Sequence, residues 1–227
     1  MSISENILAV RQKIVQAAVR VNRNPADIKL VAVTKTVEPR AMQEALTAGI
    51  QDFAENRVQE LVRKHPYFED QVSWHLIGHL QTNKVKQVIG RASMVHSLDR
   101  LNLARELSGA AQAKGLVLPV LLQVNISRED TKYGLAPEEV LDFVAEITAY
   151  PGLSIQGLMT MAPLLPDPEE TRPVFRDLTE MAHRIKAVLP AVEMRWLSMG
   201  MTNDYEVAVE EGANLVRIGS GIFGPRN

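Results

Sequence analysis

Residues 28–36 read Ile-Lys-Leu-Val-Ala-Val-Thr-Lys-Thr. Ile28 to Val33 is a short β-branched run, which predicts a buried strand ending near Lys35. The turn after this strand decides between two architectures. An open doubly wound sheet wants a glycine-rich turn after its first strand, and Thr34-Lys35-Thr36 has no glycine nearby. Before the strand, Ile3, Ile7, Val10, Ile14, Ala17 and Val21 recur in steps of three and four, the spacing of an amphipathic helix. Asn24-Pro25 ends that helix.

Outward from this point, strand and helix signals alternate. Further strands are predicted at Asp52–Glu55, Trp74–Gly78, Met94–Leu98, Pro119–Ile126, Ser154–Met161, Met194–Met199 and Leu215–Ile218. Helices are predicted from about Arg57, from about Asn83, over Leu101–Lys114, over Pro137–Ala149, over Arg172–Leu189 and from about Asp204. About eight such units after one leading helix are the layout of a single α/β domain over residues 1–227, a (β/α)8 TIM barrel with an additional N-terminal helix. That helix is expected to cover the barrel exterior, with a partner interface as the alternative.

The 25 Lys+Arg and 27 Asp+Glu give a net charge of −2, no electrostatic footprint for nucleic acid or an anionic membrane surface. Disulfides, thiolate metal sites and cysteine nucleophiles are excluded, because there is no cysteine. No apolar run approaches the roughly 18 residues of a membrane span, and Met1 to Arg20 lacks the continuous apolar stretch of a signal peptide. The expectation is a cytoplasmic protein.

Strand C-terminal ends line the active-site mouth of such barrels. Lys35 sits at one, where walls of neighbouring strands would lower its pKa and let it form a Schiff base with an aldehyde; the alternative is a solvated lysine. Ser198 to Asp204 (SMGMTND) comes after the seventh strand and Gly219-Ser220-Gly221 after the eighth. Glycines at those two ends suit a phosphate, which backbone N–H groups and serine hydroxyls can hold; ordinary βα turns are the alternative. A strand-end lysine with a phosphate site suggests a phosphorylated aldehyde, with pyridoxal 5′-phosphate (PLP) the obvious candidate. Arg217 shares the strand face of Gly219 and is the candidate partner for a pyridine nitrogen, a rim salt bridge being the alternative.

The segments LVAVTKT (30–36), ENRVQE (55–60), WHLIGHLQTNK (74–84), VHSLDR (95–100), QVNIS (123–127), TKYGL (131–135), GLMTM (157–161), LSMGMTND (197–204) and RIGSGIFG (217–224) span nearly the whole chain. Through them the chain resembles the PLP homeostasis proteins (the YggS/PROSC family), relatives of the N-terminal barrel of bacterial alanine racemases. The resemblance implies Lys35 as the residue holding PLP as an internal aldimine. It implies Ser198, Gly200, Gly219 and Ser220 as phosphate contacts, Arg217 at the pyridine nitrogen and Asn56 beside the cofactor. This chain departs from the family pattern at Ala54 (commonly Gly), Ser220 (frequently Thr) and Gly221 (frequently Ala). The hydroxyl is kept at 220.

A carrier with no catalytic residue is expected rather than an enzyme. An arginine has no proton to give a ring nitrogen, which leaves the ring a weak electron sink. Alanine racemases use such an arginine too, but add a C-terminal β-domain bearing a tyrosine acid/base. This chain ends at Asn227, a few residues past the eighth strand, so no such domain is expected and only Tyr133 would visit the mouth. The alternative is a PLP-dependent amino-acid racemase of low activity; an aldolase-type barrel using Lys35 is a third. Expected partners are PLP and apo PLP-enzymes as recipients, with a monomeric state.

No metal site is expected. His75 and His79, four apart on an extended run, would stand roughly 13 Å from each other. They and His96 read as structural hydrogen-bonding groups, and Asp52 and Glu55 lack further ligands. Met159, Met161, Met199 and Met201 read as packing. Lys132 lies in the loop after the fifth strand and Lys84 opens the helix after the third; either would approach the mouth, where a second lysine would take the aldehyde from Lys35, with a solvated lysine as the alternative.

Overall fold

A computed structural model describes residues 2–129 and 131–225. In chain order its elements are α1 (Ile3–Arg20), β1 (Lys29–Val33), α2 (Pro39–Thr47), β2 (Asp52–Glu55), α3 (Val58–Phe68), β3 (Ser73–Leu76), α4 (Val85–Val88), β4 (Met94–Leu98), α5 (Leu101–Gln112), β5 (Leu118–Gln123), α6 (Val140–Ile147), β6 (Leu153–Met159), α7 (Arg172–Val188), β7 (Trp196–Ser198), α8 (Tyr205–Glu210), β8 (Leu215–Ile218) and α9 (Ser220–Phe223). The strands close in sequence order into a parallel barrel, β1 pairing with β8 through Lys29↔Leu215 to Ala32↔Ile218. The (β/α)8 expectation holds. No helix among the described residues is long and apolar enough to cross a membrane.

The outer ring shows what α1 is for. The helix after β8, α9, has four residues and is too short to cover the β8–β1 seam. The eighteen-residue α1 packs between α8 and α2 and takes that place. Ile7, Val10, Ile14, Ala17 and Ala18 form its buried face, and each large apolar side chain there contributes about 1.5–3 kcal/mol. Ser2 and Glu5 close a capping box at its start. Arg20 reaches Glu210 at 2.6 Å and Lys13 reaches Glu206 at 3.2 Å, which tie α1 to α8. The predicted end at Val21 is its C-cap.

Strands are shorter than predicted at several ends. β3 stops at Leu76, so His79 lies in the next loop rather than on a strand with His75. β5 stops at Gln123, and β7 is only Trp196–Ser198. The segment from Asn83 yields only the one-turn α4. The sequence reading names no helix after the first strand, yet Pro39–Thr47 forms α2, opened by a proline at N1.

Period-two alternation sorts the strands into two faces. Outward residues such as Ala32, Phe53, Trp74, Val95, Val120, Leu158 and Val216 pack into the main core beneath the helices. Inside the barrel, Val31, Val33, Ala54, Ile77 and Leu215 form one small cluster and Met94, Leu121 and Met159 another, with Trp196 touching both. The rest of the interior is polar, an unusual filling for a barrel normally packed with branched apolar side chains.

Gly157 marks a β-bulge in β6, where the pairing moves from Val120↔Ile155 to Leu121↔Gly157. It has φ +147°, and a Cβ there would lie 1.9 Å from the Trp196 carbonyl oxygen. Gly157→Ala is therefore expected to push β6 from β7 and cost about 3 kcal/mol or more. Urea unfolding checks the stability, and Trp196 emission reports whether the seam has opened.

Candidate functional site

Lys35 lies in the turn after β1 and is half-buried. That turn is held tightly. Thr36 has φ +63°, a left-handed conformation unusual for a β-branched residue. Its amide donates to Glu60 Oε2 at 3.0 Å, and the Val37 amide donates to the Thr34 carbonyl at 2.9 Å. Behind the turn sits Lys64 on α3, whose Nζ is fully buried. It donates to the Thr34 carbonyl at 2.7 Å, Glu55 Oε1 at 2.8 Å and Glu60 Oε2 at 2.7 Å. Thr34 Oγ1 also donates to Glu55 Oε1, at 2.6 Å. Burial pushes the Glu55 carboxyl above its ordinary range, against the pull of Lys64 and Thr34. Burial acts the same way on Glu60, but Lys64 and the Thr36 amide outweigh it and hold that carboxyl low.

Arg217 is 3% exposed. Its guanidinium is inside the barrel and not in a rim salt bridge. Nη1 donates to Ser198 Oγ at 2.6 Å and Nη2 to the Thr160 carbonyl at 2.9 Å. Burial pulls its pKa down to about 10, with Asp204 opposing, which leaves it charged at neutral pH. Ser198 is also buried, and its hydroxyl is 3.0 Å from His96 Nδ1. That hydroxyl is thus turned into the barrel rather than towards the loops. His96 Nε2 is 2.9 Å from His75 Nδ1, and His75 Nε2 is 2.9 Å from Asp52 Oδ1. Burial drives the His96 pKa well below 6.5, so this ring is neutral.

The turns after β7 and β8 are stitched together. Thr202 Oγ1 accepts from the Gly221 amide at 3.2 Å and lies 3.3 Å from the exposed Ser220 Oγ. Gly200 has φ +87°, and a Cβ there would come within 2.6 Å of Ala208 Cβ, so only glycine lets this loop lie on α8. Just before α8, Asp204 Oδ1 accepts the Met201 amide at 2.6 Å, so that donor is already taken. The two turns bring the hydroxyls of Ser220 and Thr202 side by side at the C-terminal strand ends. Thr202 lies within SMGMTND, where the sequence alone gives it no role.

Asn56 comes directly after β2, and its Oδ1 is buried without a hydrogen-bond partner among the described residues. It lines a cavity of about 490 Å³ with Arg57, Glu60, His79, Gln81 and Lys84. His79 stacks on Tyr133 with centroids 3.9 Å apart. Lys132 Nζ is 2.5 Å from Glu129 Oε1 and 3.3 Å from the Met161 carbonyl, an anchored rather than a freely solvated lysine. A larger cavity, about 910 Å³, opens at the opposite, N-terminal end of the barrel beside Lys29, Asp52 and Trp196. The residues expected to contact PLP lie instead at or just before the C-terminal strand ends.

Two consequences are measurable. Lys64→Met strips Glu55 of its buried cation and is expected to cost about 3–5 kcal/mol in urea unfolding, with part regained in Lys64→Met/Glu55→Gln. His96 sets a pH slope. Near pH 6.5 the unfolded chain binds a proton at His96 that the folded chain refuses. This contribution to stability is whole above that pH and falls as the pH drops through it. Unfolding curves from about pH 7.5 to 5.5 should show a shallower decline for His96→Gln than for the parent.

Comparison with known proteins adds to this geometry. The family described as "Alanine racemase, N-terminal domain" matches residues 5–227. The pyridoxal phosphate homeostasis protein of Aquifex aeolicus (strain VF5) is 40% identical over 227 residues, which is 100% of this chain and 99% of that protein. The pyridoxal phosphate homeostasis protein of Haemophilus influenzae is 40% identical over 230 residues, covering 100% and 97%. PipY of Synechococcus elongatus PCC7942, solved with PLP bound, superposes with a TM-score of 0.86 at 31% identity, covering 98% of this chain and 100% of that one. Sequence and fold agree from end to end: the chain belongs to the alanine racemase N-terminal domain family, among the pyridoxal phosphate homeostasis proteins.

Proposed function

We propose that this chain binds pyridoxal 5′-phosphate through Lys35 and acts as a carrier in PLP homeostasis, and so indirectly in amino-acid and keto-acid balance. The observation that carries the reading is Arg217, a charged guanidinium buried in the barrel and braced by Ser198 and Thr160. PLP bound in PipY, a full-length relative at 31% identity, supports it.

When bound, PLP supplies an aldehyde carbon open to an amine and an electron-withdrawing ring. Lys35 would hold it covalently, with the Lys64–Glu55–Glu60 cluster fixing the turn that carries the lysine. Gly200, Gly219, Ser220 and Thr202 would hold the phosphate, Ser198 contributing through its backbone. Arg217 would donate an N–H to the ring nitrogen and keep that nitrogen unprotonated. Asn56 would offer its unpartnered Oδ1 to a polar group of the ring. A ring so held is a weak electron sink, and the carrier reading is supported by the full-length relatives named pyridoxal phosphate homeostasis proteins. The recipients would be apo PLP-enzymes, and the protein a cytoplasmic monomer.

Borohydride reduction of the PLP-loaded protein and then peptide mass mapping tests the site. A pyridoxyl group on Lys35, lost in Lys35→Ala, is expected. Labelling of Lys132 or Lys84 alone, or none, overturns the assignment. Incubated with amino acids in deuterated water, the loaded protein should exchange α-protons no faster than free PLP; exchange at enzymatic rates defeats the carrier reading.

A further inference from the structure

The polar groups inside the barrel form one continuous chain. Arg217 Nη1 meets Ser198 Oγ at 2.6 Å, Ser198 meets His96 at 3.0 Å, His96 meets His75 at 2.9 Å and His75 meets Asp52 at 2.9 Å. Lys29 Nζ closes the far end on Asp52 Oδ1 at 2.8 Å. The chain runs from the C-terminal mouth to the N-terminal end, where Lys29 and Asp52 line the 910 Å³ cavity. No sequence motif pairs any of its members with another.

Donor and acceptor chemistry orders this chain. Arginine only donates, so Ser198 Oγ accepts. Burial pushes the Asp52 carboxyl up, but His75 and Lys29 outweigh it and hold it low, so Asp52 is an anion that only accepts. His75 Nε2 must then carry a proton, because a bare ring nitrogen 2.9 Å from a carboxylate oxygen would set lone pair against lone pair. With His75 neutral, its Nδ1 accepts from His96 Nε2–H, and the bare His96 Nδ1 accepts the Ser198 O–H. Every donor points the same way, from Arg217 to Asp52. The other order needs a doubly protonated His75 and a His96 with its proton on Nδ1. It would send two donors to Ser198, strand that residue's own proton and add a third cation to a barrel interior that already holds Arg217 and Lys29.

We propose that Asp52, at the opposite end of the barrel from Lys35, is a positioning residue for Arg217. It acts as the relayed counter-charge of a guanidinium that makes no carboxylate contact among the described residues. Each hydrogen bond polarises the next in this low-dielectric interior, so the anion at one end strengthens the acceptor facing the arginine at the other. The chain also consumes the Ser198 proton, which leaves that hydroxyl an acceptor for Arg217. The effect on ligand binding rests on the PLP reading above; the chain itself does not.

The test reads the histidine ring nitrogens of the intact protein by long-range ¹H–¹⁵N correlation, with His75→Gln and His96→Gln for assignment. Both rings neutral with the proton on Nε2 at about pH 7.5 is the expected result. A doubly protonated His75, or a His96 bearing its proton on Nδ1, overturns the proposal without need of any Asp52 variant. Asp52→Asn keeps the shape but lets the amide donate to His75, so the fixed His96 tautomer should be lost. PLP affinity should fall about tenfold, the value of one charge-assisted hydrogen bond, while Lys35 is still labelled by borohydride and far-UV circular dichroism is unchanged. Asp52→Asn with the parental tautomer, or with altered tautomers and unchanged PLP affinity, sinks the positioning role. Failure of Lys35 labelling in the parent defeats the PLP reading instead, and leaves the tautomer result to decide the chain.

Discussion

A guanidinium cannot be taken out of water without compensation, and Arg217 is out of water. Moving such an ion into a protein interior costs several kcal/mol even after relaxation. Its two direct acceptors, Ser198 Oγ and the Thr160 carbonyl, are neutral. Asp204 helps through space, but burial pushes that carboxyl's own pKa up, so it is a reluctant anion. The remaining compensation comes through hydrogen-bonded neighbours, and this requirement explains why the barrel interior holds two histidines and a serine where branched aliphatic side chains usually sit. Apolar residues fill what the polar chain leaves, in two small clusters bridged by Trp196.

The same constraint shapes the exterior of β1 and β2. Lys64 is as deeply buried as any residue in the protein, and its ammonium is met by two carboxylates and a carbonyl. Three donors and three acceptors match, so the ion is fully satisfied. One acceptor is the carbonyl of Thr34, the residue before Lys35, and one carboxylate also takes the amide of Thr36, the residue after it. A charge cluster on the outside of the barrel therefore fixes the backbone on both sides of the lysine without occupying the mouth.

Much of this fold was legible, because a half-buried strand and an amphipathic helix each leave a period in the sequence. The recurring alternation of strand and helix signals placed all eight strands, and the Ile3–Ala17 spacing placed the leading helix. That α1 takes the ring position which the four-residue α9 cannot fill was not legible, since it depends on contacts between the two ends of the chain. The short helix over Pro39–Thr47 has little beyond its N1 proline to mark it in the sequence. At the site, Lys35, Arg217 and the two glycine turns could be placed at strand ends by counting. The links between His75 and His96, 21 residues apart, and between His96 and Ser198, 102 apart, could not. Such pairs are set by strand register and barrel closure, and no local motif encodes them. Thr202 was missed for a related reason: its partners lie on the next loop.

Parity joins the core to the site. In β1 the inward residues are Lys29, Val31 and Val33, and Lys35 is the next odd position. In β2 they are Asp52 and Ala54, with Asn56 next in line. In β7 they are Trp196 and Ser198, then Gly200, and in β8 Leu215 and Arg217, then Gly219. Every residue singled out for ligand binding, except Ser220 one step further on, falls on the interior series of its strand. Because the side-chain period of a strand is two, a one-residue slip in any of these registers would exchange the interior set for the exterior set. Such a slip would bury apolar outward residues in the mouth and pull Asp52, His75 or Arg217 off the polar chain. The hydrogen bonds that neutralise Arg217 and the alternation that fills the core therefore select the same register, and the position of the mouth residues is a consequence of both.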